Sequence, residues 1–201
     1  MAIQRDFESW NINGHVLEYD DETHTYLCDG QIVPSVTQML GKRYANEYAN
    51  VSQAYLNEAS RKGTAMHSAI EAYETTGEED DSQELRNYKF LKKHYGWTNK
   101  ENEVPIIYEE DGVILFAGRL DQIMEIDGQL GINDFKRVSA PNKEKIALQL
   151  NMYKLGFEQS YKKNINFLRF TQLREDVRKF YKVPINEEAT KNFLKGADDG
   201  Q

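Results

Sequence analysis

The stretch from Gly118 to Lys136 constrains this chain more than any other, because it places two carboxylates and a lysine in one predicted hairpin. Asp127-Gly128 suits a two-residue type I′ turn, and the apolar residues on both sides of it are typical of strands. With that dipeptide as the turn, Asp121 faces Asp134 across the hairpin, with Cβ atoms about 5 Å apart. Lys136 points from the same face as Asp134.

Two carboxylates that face each other repel unless a cation lies between them. A divalent metal held by oxygen ligands, with an ammonium group beside it, makes such a placement useful. The alternative is a charged sheet face in contact with water, and the hairpin by itself favours that alternative. The rest of the chain has to decide between the two.

The composition predicts one domain over residues 1–201, large enough to bury a core: 39% of the residues are hydrophobic and 29% are charged. We expect a hairpin and helical part over about 1–98 and a sheet core over about 99–201. The first ten residues lack the apolar segment of a signal peptide, and no apolar run approaches the roughly 20 residues of a membrane span. These features predict an intracellular protein without a membrane partner.

Two counts limit the chemistry. Cys28 is the single cysteine, which excludes an internal disulfide and any zinc or iron–sulfur site made of several cysteines. The net charge is −8, but residues 101–127 carry eight acids and one base, whereas residues 136–182 carry twelve bases and four acids. This distribution is compatible with a metal site beside a phosphate-binding surface, and equally with helix faces exposed to water.

Periodicity and turn signals predict a mixed sheet flanked by helices, an α/β or α+β fold with three consecutive antiparallel strands. Gly118 predicts a bend or a close backbone approach, and Pro105 predicts an edge or bulged strand. The predicted elements are a hairpin over 15–33, helices over 35–40, 51–76, 82–95, 145–161 and 186–194, strands over 103–110, 113–126, 130–136, 166–173 and 177–184, and frayed residues after 195.

Two helix starts are candidate ligand sites. Ser35 and Gln38 fit a capping box, and the Ser35 and Thr37 hydroxyls with the free amides of that turn suit a phosphate. The helix over 51–76 is predicted to break near Lys62-Gly63, so that Thr64 caps a second segment with His67 in its first turn. There the helix dipole favours a neutral imidazole, which can bind metal. A plain cap and an ordinary helical histidine are the alternatives.

Four motifs in order, GTAMH, GRLD, NDFK and QLNMY, resemble the PD-(D/E)XK nuclease superfamily, particularly its RecB-like exonuclease branch. The segment HTYLCDG…VPSVTQML is similar to the N-terminal part of phage-type members, so the resemblance spans about residues 24–153. It implies a restriction-endonuclease-like core and one or two Mg²⁺ or Mn²⁺ ions. A four-cysteine iron–sulfur cluster, which a subset of the branch carries, is excluded by the single cysteine.

The resemblance also implies roles for individual residues. Asp121 and Asp134 match the paired metal-binding acids, and Lys136 matches the lysine that positions water and stabilises phosphate charge. The remaining implied or candidate residues are His67 beside the metal, the Phe135 carbonyl and Glu103 as further metal ligands, Gln149 and Tyr153 on the supporting helix, and Arg119, Ser35 and Thr37 as contacts to the nucleic-acid backbone.

The implied activity is hydrolysis of DNA phosphodiester bonds by water, with little sequence specificity, in recombination, repair or phage DNA processing. Exonuclease action on DNA ends or single strands is preferred only because the resemblance leans to the RecB-like branch. Two alternatives stay open: a nuclease-fold protein that binds DNA or a protein partner without cutting, which the net charge favours, and hydrolysis of another phosphate ester. The sequence does not specify polarity, DNA against RNA, or oligomeric state.

Overall fold

A computed structural model describes residues 7–196, which form a mixed α/β structure with two sheets and five helices in this range. The strands are β1 (Phe7–Ile12), β2 (His15–Asp20), β3 (Thr25–Cys28), β4 (Gln31–Val33), β5 (Thr98–Glu110), β6 (Val113–Ile126), β7 (Gln129–Lys136), β8 (Phe167–Leu173) and β9 (Arg178–Val183). The helices are α1 (Val36–Arg43), α2 (Gln53–Thr76), α3 (Gln83–Tyr95), α4 (Lys143–Tyr161) and α5 (Glu187–Leu194).

The larger sheet has the strand order β5-β6-β7-β8-β9. β5, β6 and β7 are antiparallel neighbours, as predicted, and α4 then crosses over so that β8 pairs with β7 in parallel. β5 is an edge strand with two register irregularities, which agrees with the expectation from Pro105. The prediction of a central mixed sheet flanked by helices is confirmed at this level.

The hairpin between β6 and β7 has the predicted turn and register. Asp127 and Gly128 have φ angles of 51° and 76°, as both central positions of a type I′ turn require. The ladder runs from Ile126 opposite Gln129 to Gln122 opposite Asn133. Asp121 and Asp134 occupy the next position in that register.

Two cores cover the faces of this sheet. The first core lies under α1 and α4 and includes Leu120, Ile132 and Leu150. The second core lies under α2 and α3 and includes Tyr88 and Phe135. Most of the buried side chains of α4 are apolar, because a crossover helix that packs on a sheet is largely removed from water.

The predicted hairpin over 15–33 is part of a four-stranded antiparallel sheet, β1-β2-β3-β4. The dipeptide Asn13-Gly14 forms a turn with two positive φ angles, like Asp29-Gly30, and so adds β1 to the hairpin. This N-terminal sheet packs on Ile107 and Ala117 of the larger sheet in a third core. Ala117 also donates its backbone N–H to the Pro34 carbonyl at 3.0 Å.

The predicted break in the second helix is wrong. α2 is continuous, with Ser52 as its N-cap and Gly77 in the left-handed conformation as its C-cap. Thr64 is therefore an interior residue, and His67 lies far from the first turn, so the argument from the helix dipole does not apply. One interior glycine costs a helix only about 1 kcal/mol, and burial of Met66 and Ile70 against the second core outweighs it.

Within residues 7–196, no helix combines the length and the apolar character that crossing a membrane requires. The expectation of frayed residues after 195 falls mainly on positions 197–201, which lie outside the described residues.

Candidate active site

A cavity of about 360 Å³ lies where the β6–β7 hairpin meets α1, α2, α4 and the N-terminal sheet. The structure brings together at this cavity every residue that the sequence analysis named as a site residue. They are Ser35, Thr37, His67, Glu103, Arg119, Asp121, Asp134, Phe135, Lys136, Gln149 and Tyr153. Their chemical roles stay predictions, but their common location is a property of the fold.

His67, Glu103 and Asp121 form a group that could hold a metal ion, which we call the carboxylate cluster. One ligand atom from each lies within 4.8 Å of the others. The His67 imidazole spans the cluster, with Nδ1 3.7 Å from Asp121 Oδ2 and Nε2 3.2 Å from the Phe135 carbonyl oxygen. His67 therefore reaches the cavity from the middle of α2, whereas the sequence predicted it at the start of a helix.

Glu103 joins this cluster because the backbone of β5 departs from a regular strand there. Its φ angle is 49°, a left-handed conformation that a non-glycine residue rarely adopts and that costs free energy. The neighbouring strand β6 also changes its alternation of side chains opposite this point: Leu120 packs in the first core, whereas Gln122, two residues on, reaches Tyr88 of the second core. The Glu103 carboxylate then lies beside Asp121 and pairs with Arg119 Nε at 3.0 Å.

Asp134 and Lys136 form a close ion pair beside the carboxylate cluster. Lys136 Nζ lies 2.7 Å from Asp134 Oδ2, and Asp134 is only 1% exposed. Burial raises the pKa of Asp134, and the neighbouring Lys136 charge opposes that shift. Burial alone would lower the pKa of Lys136, but the charges of Asp134 and Asp121 raise it overall, so the lysine is an ammonium at neutral pH.

The acids of the cavity would gain from a cation. Burial, followed by the charge of Asp121, raises the pKa of Glu103 to about 7, and burial raises that of Asp134. Asp121 has one carboxylate oxygen engaged, since Oδ2 accepts the Phe135 N–H at 2.7 Å. Two carboxylates and an imidazole, with no thiolate among them, form a donor set that could hold a divalent metal ion.

The start of α1 is both a helix cap and a wall of the cavity. Ser35 Oγ accepts the Gln38 N–H at 3.0 Å, and Gln38 Oε1 accepts the Ser35 N–H at 3.0 Å, which is the predicted capping box. The Ser35 and Thr37 hydroxyls lie 3.0 Å apart. The plain-cap interpretation is therefore correct, and it coexists with a position beside Lys136 and Gln149 on the cavity wall.

The remaining predicted residues are held by neighbours. Arg119 pairs with Glu8 at 2.9 Å as well as with Glu103, and its guanidinium lies over the Tyr19 ring. On α4, Gln149 Nε2 donates to the Tyr153 hydroxyl at 3.2 Å. Burial raises the pKa of Tyr153 well above its usual range, which keeps the phenol neutral and able to donate.

Sequence reasoning missed five residues that line the cavity: Tyr19, His24, Tyr26, Val36 and Gly118. The two tyrosines are direct partners across β2 and β3, so an aromatic pair in the predicted hairpin was a usable signal. Gly118 was expected at a close approach, and an added Cβ there would lie 3.1 Å from the Tyr153 ring.

A second polar pair, the amide pair Gln122 and Asn133, lies directly next to the two aspartates in the hairpin. Both residues are completely buried, and Asn133 Nδ2 donates to Gln122 Oε1 at 3.1 Å. Gln122 Nε2 donates to the Tyr88 hydroxyl, and Thr171 donates to Asn133 Oδ1. The amide pair therefore has protein partners, whereas the carboxylates next to it face a cavity.

Comparison with known proteins adds likeness to solved structures alone. No protein-family model and no curated protein matches the chain. Among 18 chains of solved structures that match is the crystal structure of SSO0001, at 18% identity, with 83% of this chain and 74% of that chain covered and a TM-score of 0.46. A TM-score below 0.5 supports no argument about family or function.

Proposed function

We propose that this chain is a metal-dependent DNA nuclease of the PD-(D/E)XK type, with a restriction-endonuclease-like core, that acts as an exonuclease. One observation carries the proposal: the carboxylate cluster and the Asp134–Lys136 ion pair line the same cavity. A cluster of metal-ligating groups beside a fixed ammonium is what hydrolysis of a phosphodiester needs.

The metal ligands in this proposal are Asp121, Glu103 and His67, with Asp134 and the Phe135 carbonyl beside them. The chemistry that Mg²⁺ or Mn²⁺ supplies at such a site is polarisation of the phosphoryl group and activation of water. A bound cation would also offset the carboxylate charge that raises the pKa of Glu103 and that would otherwise repel a phosphate.

Lys136 supplies the positive charge that binds and stabilises phosphate in this mechanism. Its ammonium is held in place by Asp134 at 2.7 Å, so little reorganisation is needed when negative charge develops on the phosphoryl oxygens. The neutral Tyr153 hydroxyl and the Gln149 amide on α4 line the same cavity and add hydrogen-bond donors.

The substrate in this proposal is the DNA backbone rather than particular bases. The cavity is polar and lined by charged groups, which suits phosphate contacts that carry no sequence information. The chain from Lys136 to Lys182 has twelve bases against four acids, and Arg119 adds a cation at the cavity. Exonuclease rather than endonuclease action rests on the resemblance of the four motifs to the RecB-like branch.

The test is digestion of end-labelled linear DNA and of covalently closed circular DNA by the purified chain in Mg²⁺ or Mn²⁺. We expect the linear substrate to be degraded and the circle to persist, EDTA to abolish degradation, and Asp134→Ala and Lys136→Ala to be inactive. Matched controls are Asp176→Ala and Lys191→Ala, which change well-exposed side chains of the same types.

Each other outcome has a definite meaning. Degradation that survives EDTA and both site variants would refute the mechanism. Cutting of the circle would replace the exonuclease by an endonuclease. DNA affinity without turnover, unchanged by EDTA, would support the binding protein that the net charge of −8 favours, and turnover of small phosphodiesters alone would support a different phosphoesterase.

A further inference from the structure

A second group of ligand atoms lies outside the cavity, in the N-terminal sheet. His15 at the start of β2, Cys28 at the end of β3 and Asp29 in the following turn each offer one ligand atom within 4.8 Å of the others. Leu17 pairs with Cys28 in the ladder, so the hairpin itself brings the three together. The group differs from the carboxylate cluster because it contains a thiol.

Cys28 is buried at 4% exposure, and its thiol makes no hydrogen bond within residues 7–196. Cys28 is part of the third core. Packing there does not require a thiol, because an aliphatic side chain of similar size would fill the same space. Burial raises the pKa of this thiol, and binding of a metal ion would release its proton.

The His15 imidazole is held by Glu109 of the larger sheet through its ring nitrogen Nε2. Nε2 lies 3.1 Å from Glu109 Oε2 on β5, and Nδ1 lies 2.7 Å from Asp29 Oδ2. If Nε2 donates its proton to Glu109 and a metal ion replaces the proton on Nδ1, the Nδ1 lone pair is available to that metal beside Asp29. A carboxylate that holds the outer nitrogen of a histidine in this way is the usual companion of a metal-binding imidazole.

The Asp29 carboxylate is held by the backbone of Val16 through its other oxygen, Oδ1. Oδ1 accepts the Val16 N–H at 2.8 Å, and the Asp29 N–H donates to the Val16 carbonyl at 2.9 Å. These two bonds, with a φ angle of 50°, hold the carboxylate so that Oδ2 points to the imidazole. Oδ2 and Nδ1 now share a proton at the position where both could instead share a cation.

We propose that His15 Nδ1, Cys28 Sγ and Asp29 Oδ2 bind a thiophilic transition-metal ion of the Zn²⁺ class, with Glu109 as the positioning residue for His15. In a tetrahedral zinc site, bonds of about 2.0–2.3 Å place ligand atoms roughly 3.3–3.7 Å apart. The present separations, from 2.7 Å to at most 4.8 Å, reach that arrangement by shifts of about an ångström. Water would take the fourth position.

The ligand set separates this site from the proposed nuclease site. Thiolate and imidazole favour Zn²⁺ or Co²⁺, whereas Mg²⁺ and Mn²⁺ prefer oxygen ligands. The bound ion would also join the β2–β3 hairpin to β5 through Glu109. That hairpin carries Tyr19 and Tyr26 to the wall of the cavity, so metal at this site would stabilise that wall without taking part in the reaction.

The experiment is a titration of the purified, EDTA-treated and desalted chain with Co²⁺, followed by the thiolate-to-cobalt charge-transfer band in the near ultraviolet. Because the chain has one cysteine, Co²⁺ in the nuclease site cannot produce this band. We expect saturation at one Co²⁺ per chain, loss of the band when Zn²⁺ is added, and no effect of excess Mg²⁺.

Variants separate the site from chance binding. Cys28→Ser and His15→Gln should abolish the band, Glu109→Gln should weaken Co²⁺ binding by at least about tenfold, and His94→Gln on exposed α3 surface should leave it unchanged. Circular dichroism of each variant establishes that it is folded. Absence of the band in the folded wild type, its persistence in His15→Gln, or saturation at half a Co²⁺ per chain, which indicates a thiol shared between two chains, would overturn the proposal.

Discussion

Two neighbouring cross-strand pairs of the β6–β7 hairpin are both polar, yet their surroundings are opposite. Gln122 and Asn133 bond to each other, and Tyr88 and Thr171 complete their hydrogen bonds. Asp121 and Asp134, one position farther along the same register, face a cavity together with Glu103 and Lys136. We expect the amide pair to stabilise the hairpin, whereas ionisation of the buried Asp134 lowers the free energy of unfolding.

The direction of the pKa shifts expresses this difference. Burial raises the pKa of Asp134 and Glu103, so ionising these acids at neutral pH lowers the free energy of unfolding relative to the same acids in water. In the proposed function, the charge of these groups binds the metal ion. A neutral amide pair with all its partners has no such cost, and its replacement should affect stability first.

The largest expected effect is on activity. Asp121→Asn keeps an oxygen that can accept the Phe135 N–H but removes a charged metal ligand. We expect DNA degradation to fall by more than about 100-fold, while the free energy of unfolding changes by less than about 1 kcal/mol. Degradation assays and urea unfolding at pH 7 measure both quantities, and an active Asp121→Asn would remove the contrast between the two pairs.

The second effect is on stability. Asn133→Ala removes the hydrogen-bond partner of Gln122 Oε1 and of the Thr171 hydroxyl, and we expect it to lower the free energy of unfolding by about 2–4 kcal/mol. Asn166→Ala, at an exposed asparagine, is the matched control. If urea unfolding shows equal midpoints for the two variants, then the amide pair is not a stabilising element.

A third variant tests the packing behind the amide pair. An added Cβ at Gly131 would lie 2.1 Å from the Phe167 ring, so Gly131→Ala should destabilise the protein by about 1–3 kcal/mol. Gly63→Ala, within α2 and with open space around the new methyl group, should instead stabilise it by up to about 1 kcal/mol. Thermal unfolding should show a lower midpoint for Gly131→Ala and a higher midpoint for Gly63→Ala than for the wild type. A Gly131→Ala variant as stable as the wild type would contradict the packing argument.

The smallest expected effect is at Glu187, whose pKa is shifted in the opposite direction to that of Asp134. Hydrogen bonding from Lys154 lowers the pKa of Glu187 below its usual 4.5, so this carboxylate contributes stability above that value and loses the contribution as pH falls through the folded pKa. Glu187 is partly exposed, so the effect is small. Urea midpoints between pH 7 and pH 3 should fall less in Glu187→Gln than in the wild type, and parallel profiles would refute this.

The sequence predicted what local chemistry determines. Asp127-Gly128 fixed the turn and hence the register of Asp121 and Asp134, since few dipeptides tolerate two positive φ angles. The left-handed backbone at Glu103 was not predictable, because it depends on how two cores divide the side chains of β5 and β6. The continuity of α2 was missed for a related reason: packing of Met66 and Ile70 outweighs one glycine.

The contact between Pro34 and Ala117 has a consequence for solubility. β7 pairs with β6 only as far as Gln122, which leaves the earlier part of β6 with backbone groups open on that side. Pro34 accepts the Ala117 N–H there, and proline cannot itself donate to a further strand. The N-terminal segment thus covers a strand edge that would otherwise be a template for pairing between chains, and protects the sheet against aggregation.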